Sequence, residues 1–158
     1  MKSLRTSVLC AVMALSVTGS FAQGNTTNVP INEPDYNRPK LFAALPDRIP
    51  VNTATISNLF TTSIGQAATV SLSADNQQRF SGQVISTGAK SQGVQTVVIR
   101  STNFAGATFS LSRTTNTDGS VAFRGRIISF KHGDFYDLVN ENGNYVLVKK
   151  NFYDLVNE

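Results

Sequence analysis

Between residues 68 and 149 the chain repeatedly alternates apolar with polar side chains. The pattern is clearest at residues 107–113, where Ala107, Phe109 and Leu111 alternate with hydroxyl-bearing residues. Successive side chains of a strand point to opposite faces of a sheet, so a period of two is typical of strands that are buried on one face. It predicts strands at residues 69–72, 79–86, 94–101, 107–113, 121–130, 135–140 and 145–149.

Two dipeptides predict tight turns between neighbouring strands. Asp118-Gly119 separates the fourth predicted strand from the fifth, and Asn142-Gly143 separates the last two. Asn-Gly is the strongest short signal for a hairpin, because its two-residue turn requires positive φ at both positions. In the resulting register Val139 lies opposite Val146. Together the strands and turns predict an all-β fold, an antiparallel meander of six to eight strands that forms a sandwich or a partly closed barrel.

The segment before the strands has a different pattern. Residues 23–50 hold all five prolines of the chain. Because proline lacks an amide hydrogen and fixes φ, we predict an extended arm here rather than a helix or a strand. Apolar residues 41–45 interrupt the arm, and we expect them to dock on the domain. Residues 56–64 predict a helical turn or a short strand, with Ser57 as the candidate helix cap.

The first residues have the composition of a secretory signal peptide. Lys2 and Arg5 precede an apolar run at residues 8–17, and Ser20-Phe21-Ala22 places small residues where signal peptidase reads them. The run is shorter than the roughly 20 residues that span a bilayer. We therefore predict cleavage after Ala22 and no membrane span in the mature chain. The predicted organisation is a signal peptide at 1–22, an extended arm rich in Pro, Asn and Thr at 23–50, and a β domain at 51–158.

Removal of the signal peptide changes the composition in two ways. The only cysteine, Cys10, leaves with it, so the mature chain forms no disulfide and has no thiol nucleophile. Small secreted domains of eukaryotes often depend on disulfides, so we predict a bacterial protein that is secreted or periplasmic. Lys2 and Arg5 also leave, which lowers the formal charge from +4 to +2. Because no basic stripe remains, we expect no nucleic-acid partner.

The residue types that catalysis needs are scarce. The chain has one histidine, His132. The Gly133-Asp134 dipeptide that follows it is a common turn sequence before a strand, so it does not indicate a catalytic pair. There is no Gly-x-Ser-x-Gly motif, and a single histidine cannot supply a zinc site. Asp134, Asp137 and Glu141 could act as the paired carboxylates of a glycosidase, but a solvated strand face also accounts for them. We expect no enzymatic activity, no cofactor and no metal.

Four arginines are the candidate binding residues. Arg124 and Arg126 share one face of a predicted strand, and Arg100 and Arg113 lie on neighbouring strands. If these strands pair, the guanidinium groups could line one face and contact a carboxylate or a sulfated glycan through bidentate hydrogen bonds. The other interpretation is a charged face that only keeps the protein in solution.

One heptapeptide, FYDLVNE, occurs twice, at residues 135–141 and 152–158. The repeat indicates either two similar strands in one sheet or a local duplication. The second copy follows the preceding strand so closely that a hairpin loop has little room. We expect the chain to bend at Asn151 and continue along another sheet or fray, with Phe152, Leu155 and Val156 preferring burial.

A series of short motifs runs through the strands, with Gly82-x-Val84, Gly125-x-Ile127 and Tyr145-x-Leu147 in this order. In this respect the chain resembles the strand-rich pro-regions that precede reprolysin-like and related secreted metalloprotease domains, over about half of its mature length. The zinc-binding His-Glu-x-x-His motif of those proteases does not follow, so the resemblance implies a detached pro-region-like module. The leader followed by a sheet also resembles small secreted proteins of the Bacteroidetes.

These observations predict a secreted, non-enzymatic β domain that binds a protein or glycan partner or has a structural role. The alternative, implied by the resemblance, is a protease-linked pro-region-like or inhibitor module that covers another protein's active-site cleft. A protease gene adjacent to this one would favour the alternative.

Overall fold

The computed structural model describes residues 37–73, 75–90 and 93–155, and its main element is one sheet of eight antiparallel strands. The strands are β1 (Arg48–Val51), β2 (Ala67–Ser71), β3 (Arg79–Lys90), β4 (Val94–Ser101), β5 (Thr108–Thr115), β6 (Val121–Ile128), β7 (Asp134–Glu141) and β8 (Asn144–Asn151). Two helical segments accompany them, α1 (Thr53–Leu59) and a 3-10 helix (Phe152–Leu155). The predicted all-β antiparallel meander is confirmed. The sheet curls into a half-barrel, which is the partly closed form of the two predicted architectures.

The spatial order of the strands is β1-β8-β7-β6-β5-β4-β3-β2. Strands β2 to β8 follow one another as a meander, whereas β1 pairs with β8 and so forms one edge of the sheet. β1 lies within the segment where we expected no strand, and it includes Pro50. An edge strand accepts proline because one of its sides has no neighbour to which an amide would donate.

Strand β3 departs most from its predicted length, since it continues to Lys90 rather than ending at Ser86. Its register with β4 shifts between Val84 and Ser86, which marks a β-bulge. A bulge adds a residue to one strand and so reverses which side chains face the core beyond it. The alternation of apolar and polar residues is therefore interrupted at Ser86, which is why the predicted strand ended there.

The last hairpin has the predicted turn and register. Asn142 and Gly143 both have positive φ, at 52° and 90°. Val139 lies opposite Val146, and the neighbouring leucines of the two strands also face each other. The turn that Asn142-Gly143 favours and the register that pairs apolar residues give the same hairpin, so the prediction is confirmed.

The inner face of the half-barrel packs against α1 and against residues 41–45. Ile56 and Leu59 of α1 are buried, and Asn52 caps the helix by accepting a hydrogen bond from the Ala54 amide at 2.8 Å. The predicted Ser57 cap is therefore wrong, because the helix begins one turn earlier than the apolar pattern indicated. Phe42 is 0% exposed, which confirms that residues 41–45 dock on the domain.

Residues 38–47, which we call the docked segment, are held by polar groups of β7 and β8. The strongest anchor is Asp134, whose side chain is buried at 1% exposure. Its two carboxylate oxygens accept hydrogen bonds from the backbone amides of Leu41, at 2.6 Å, and Phe42, at 2.9 Å. Asp134 is thus a fully occupied structural acceptor for the docked segment.

A tyrosine and a lysine extend this anchoring along the docked segment. The Tyr136 hydroxyl donates to the Pro46 carbonyl. The Lys149 ammonium donates to the Leu45 carbonyl and lies 3.1 Å from an Asp47 carboxylate oxygen. Burial, and then the charges of nearby carboxylates, raise the pKa of the Tyr136 hydroxyl.

The two copies of FYDLVNE adopt different structures. The first lies in β7, whereas the second turns into the 3-10 helix directly after β8, and its residues 156–158 lie outside the described residues. Phe135 is 0% exposed, but the 3-10 helix buries none of its residues. The expected burial of Phe152 and Leu155 is therefore wrong. The physical reason is that β7 and β1 already flank β8, so no position beside it is vacant.

Candidate functional site

The ladder between β6 and β7 is shorter than either strand. Each strand has eight residues, but only those from Gly125 to Ile128 of β6 pair with β7. Residues 121–124 pair with β5, and residues 139–141 pair with β8, but these two stretches do not pair with each other. We call the resulting opening in the sheet the β6–β7 fork.

A glycine and a tyrosine shape the fork. A Cβ atom on Gly125 would lie 2.5 Å from the Leu111 side chain and 2.9 Å from the Ser110 carbonyl, so β6 approaches β5 too closely here for any larger residue. Tyr145 of β8 reaches under the fork, and its hydroxyl accepts a hydrogen bond from the Phe123 amide at 3.0 Å. This bond replaces the strand partner that the Phe123 amide lacks.

A cleft of about 900 Å³ opens at the fork on the outer face of the sheet, the face turned away from α1 and the docked segment. Strands β4 and β5 contribute hydroxyl-bearing and apolar side chains, and β6 and β7 contribute charged ones. The lining includes Thr96, Val98, Ser110, Ser112, Arg124, Arg126, Asp137, Val139, Asn140 and Tyr145. Leu111, Ala122, Phe123 and Leu138 also line it, so most of the exposed lining is apolar, with charge concentrated along one side.

Asp137 lies between two cations at the edge of this cleft. Its carboxylate oxygens are 3.5 Å from Arg126 Nε and 3.4 Å from Lys150 Nζ. The Arg126 guanidinium also lies 5.0 Å from the centre of the buried Phe135 ring, a cation–π distance. Arg126 Nε is buried and forms no hydrogen bond within the described part of the chain. One carboxylate thus faces two cations, and donor capacity remains on Arg126.

Arg124 is the exposed cation of the cleft. It lies two residues from Arg126 on the same face of β6, opposite Ser112 of β5. Among the described residues, no acceptor or carboxylate engages its guanidinium. Its five N–H donors are available to a ligand, in the planar arrangement that matches a carboxylate or a sulfate.

The structure separates the other two predicted arginines from this pair. Arg100 is exposed on β4 opposite Thr108, outside the cleft lining. Arg113 of β5 lies opposite Phe123, on the side of the strand that carries the core residues. The four arginines therefore do not form one surface. Only Arg124 and Arg126 meet at the cleft.

The remaining residues considered for catalysis have other partners. His132 Nδ1 lies 2.8 Å from the Ser129 hydroxyl, and it forms no pair with Asp134, whose oxygens are taken by backbone amides. Glu141 is paired with Arg48, and Asp137 is paired as described above. Each of these side chains thus has a structural contact of its own.

Two further observations concern ions and membranes. In the described ranges, no group of three or more His, Cys, Asp or Glu side chains is arranged to hold a metal ion. Within those same ranges, none of the helices has the length and apolar character needed to cross a membrane. Neither observation changes the description of the cleft.

Sequence reasoning found Arg124 and Arg126 but missed Lys150 and Tyr145 as members of the same region. The two arginines are separated by one residue on a strand, so the period of two places them on one face. Tyr145 comes from β8, and only the register across β6, β7 and β8 brings it to the fork. Lys150 lies opposite Phe135, at the other end of the β6–β7 ladder, and its side chain reaches Asp137. The Asn142-Gly143 turn was the one available signal, because it sets the β7–β8 register.

Comparison with known proteins gives no relative to which this site can be matched. No family model, curated protein or solved structure matches the chain. The resemblance to metalloprotease pro-regions is not tested by these comparisons and stays a prediction.

Proposed function

We propose that this protein is a secreted, non-enzymatic binding domain whose cleft at the β6–β7 fork holds an anionic group of a protein or glycan partner. The observation that carries the proposal is Arg124, an unengaged guanidinium at a cleft of about 900 Å³. The anionic group is a carboxylate or a sulfate, because both accept the paired N–H donors of an arginine.

The charge balance of the cleft supports an anionic ligand. Arg124 and Arg126 contribute two positive charges to the lining, and Asp137 contributes one negative charge. The low formal charge of the mature chain means that this excess is local. An anion that contacts Arg124 gains a charge-assisted hydrogen bond without breaking an existing ion pair.

The neutral side chains of the cleft support a ligand with hydrogen-bonding groups. Ser110, Ser112 and Thr96 carry hydroxyls that both donate and accept, and Val98 and Val139 supply apolar contact. Hydroxyls and apolar side chains beside a cation suit a ligand that carries both hydrogen-bonding and apolar groups next to its anionic group.

The test is a titration of the exported protein with two anionic probes, a heparin oligosaccharide and a poly-glutamate peptide, and with neutral dextran. We expect binding to at least one anionic probe, weakening with added salt. Arg124→Gln should weaken binding about tenfold, the effect of losing about 1.4 kcal/mol from a charge-assisted hydrogen bond.

Arg100→Gln is the matched control, because it removes the same charge from an exposed position on β4 that does not line the cleft. It should bind within about twofold of the wild type, since an exposed charge at that distance is largely screened. Equal losses in the two variants would show that net charge rather than the cleft governs binding. Failure of the wild type to bind either probe would also contradict the proposal.

A further inference from the structure

Phe130, in the loop between β6 and β7, is the most exposed large apolar side chain of the described residues, at 73%. Its ring packs edge to face on Phe152, with 6.1 Å between the ring centres. Phe152 is itself only half-buried. The two rings form an aromatic pair at the end of β6 that is opposite the fork.

Hydrogen bonds from other parts of the chain hold the loop that carries Phe130. Arg38 donates to the Phe130 carbonyl at 2.7 Å. The Gly133 amide donates to the Pro39 carbonyl at 3.1 Å, and the Phe152 amide donates to the Gly133 carbonyl at 2.7 Å. A single exposed apolar residue on a surface needs no explanation, but this one packs on a second aromatic ring in a loop whose backbone is held by two other parts of the chain.

One cation contacts the aromatic pair, and two more lie close to it in the sequence or in the docked segment. The Arg38 guanidinium lies 5.5 Å from the centre of the Phe152 ring, Lys131 follows Phe130 directly, and Lys40 is exposed in the segment that holds the loop. The nearest carboxylate in sequence, Asp134, is buried and occupied by backbone amides. Among the described residues, Asp154 of the 3-10 helix is the exposed acidic group near the pair. The described part of this surface therefore combines an exposed aromatic ring with more cations than carboxylates.

We propose that this surface, the aromatic loop (Phe130, Lys131, Phe152, Arg38 and Lys40), docks the protein reversibly on a bilayer that contains anionic phospholipid. A bilayer offers a layer of phosphate groups above an apolar interior, and a ring that projects past flanking lysines and arginines matches both layers. A sugar would instead need side chains that hydrogen-bond its hydroxyls around the ring, and the neighbours of Phe130 are cations and a second phenylalanine.

This site is independent of the cleft, because Arg124 and Phe130 lie toward opposite ends of β6. It implies peripheral contact and no span. One ring and three cations give weak binding of the kind that a single anchor provides, so the protein should exchange between the surface and solution.

The test is co-sedimentation of the exported form, without its signal peptide, with vesicles of phosphatidylcholine alone or mixed with phosphatidylglycerol. We expect binding only to the mixed vesicles, reduced by added salt. Phe130→Ala should weaken it about fivefold through partial loss of apolar burial, and Lys131→Gln should do so about fivefold through loss of one charge near the surface.

Two matched controls separate this surface from general properties of the protein. Ile64→Ala removes a side chain that is 61% exposed in the turn between α1 and β2, and Arg100→Gln removes an exposed charge on β4 that lies outside the cleft. Both should bind mixed vesicles as the wild type does, and all four variants should melt close to the wild type because the side chains are exposed.

Several results would overturn the proposal. They are absence of vesicle binding, equal binding to neutral vesicles, or a loss in either control as large as in Phe130→Ala. A concentration-dependent self-association that Phe130→Ala abolishes, without vesicle binding, would assign the surface to a second copy of the chain. A loss in the cleft variant Arg124→Gln alone would assign the lipid contact to the cleft, and it would leave the function proposed for the cleft standing.

Discussion

Replacement of Asp134 by alanine should release the docked segment at a cost that the structure allows us to work out. The variant leaves two amides without acceptors. The Phe42 amide is buried, so its loss carries the penalty of an unsatisfied buried donor, about 2–3 kcal/mol, whereas the Leu41 amide is partly accessible to water and loses about 1 kcal/mol. The free energy of unfolding should therefore fall by about 3–4 kcal/mol, which corresponds to a melting temperature about 12–16 °C lower for a domain of this size.

Asp134→Asn is the intermediate case, because its amide oxygen still accepts one hydrogen bond while its NH₂ group faces the second amide. We expect it to lose about 2 kcal/mol. Urea unfolding followed by circular dichroism measures both variants, and hydrogen exchange should show the Phe42 amide protected in the wild type but not in Asp134→Ala.

The matched control is Asp154→Ala, which removes an exposed carboxylate that accepts one backbone amide, from Asn151 at 3.1 Å. It should cost less than about 0.5 kcal/mol. If Asp134→Ala were no more destabilised than Asp154→Ala, or if the Phe42 amide exchanged rapidly in the wild type, the anchoring role of Asp134 would be refuted.

Two further predictions follow from the same region. Phe135→Ala should cost about 3–5 kcal/mol and Phe152→Ala about 1 kcal/mol, although each is the first residue of a copy of the same heptapeptide. Thermal unfolding compares them, and equal losses would contradict the difference in burial. Because the pKa of Tyr136 is raised in the folded state, the unfolded state loses this proton first, so the free energy of unfolding should fall as pH rises above about 10. Tyr136→Phe should show a smaller fall between pH 8 and 10.5 in urea titrations, and an identical fall would exclude Tyr136 as its source.

Strand positions were predictable because each strand of this sheet has one buried face. The alternation at residues 107–113 corresponds to β5, and Asn142-Gly143 determines a hairpin whose register the structure confirms. What the sequence could not show is the long-range pairing. Nothing local to Pro50 indicates that it lies on an edge strand beside β8, because the partner is distant in the chain.

The candidate site was predictable only in part, for the same reason. Arg124 and Arg126 share a face by their spacing, but the separation of Arg100 and Arg113 depends on register and on the side of β5 that faces the core. The anchoring of Asp134 was missed because an aspartate after glycine at the start of a strand is typical of a turn. Its acceptor role depends on a segment that lies 93 residues earlier in the chain.

The pairing of β1 with β8 has a consequence for the order in which the protein assembles. A ribosome makes β1 and the docked segment first, yet their partners are in the last hairpin, with contacts that span 93 and 104 residues. The docked segment therefore lacks its hydrogen-bond partners on β7 and β8 until nearly the whole chain has emerged. Contacts between such distant residues form slowly because a large loop has to close. The half-barrel is complete only when the beginning and the end of the folded domain meet, so the earliest-made part of this domain is the last to become native.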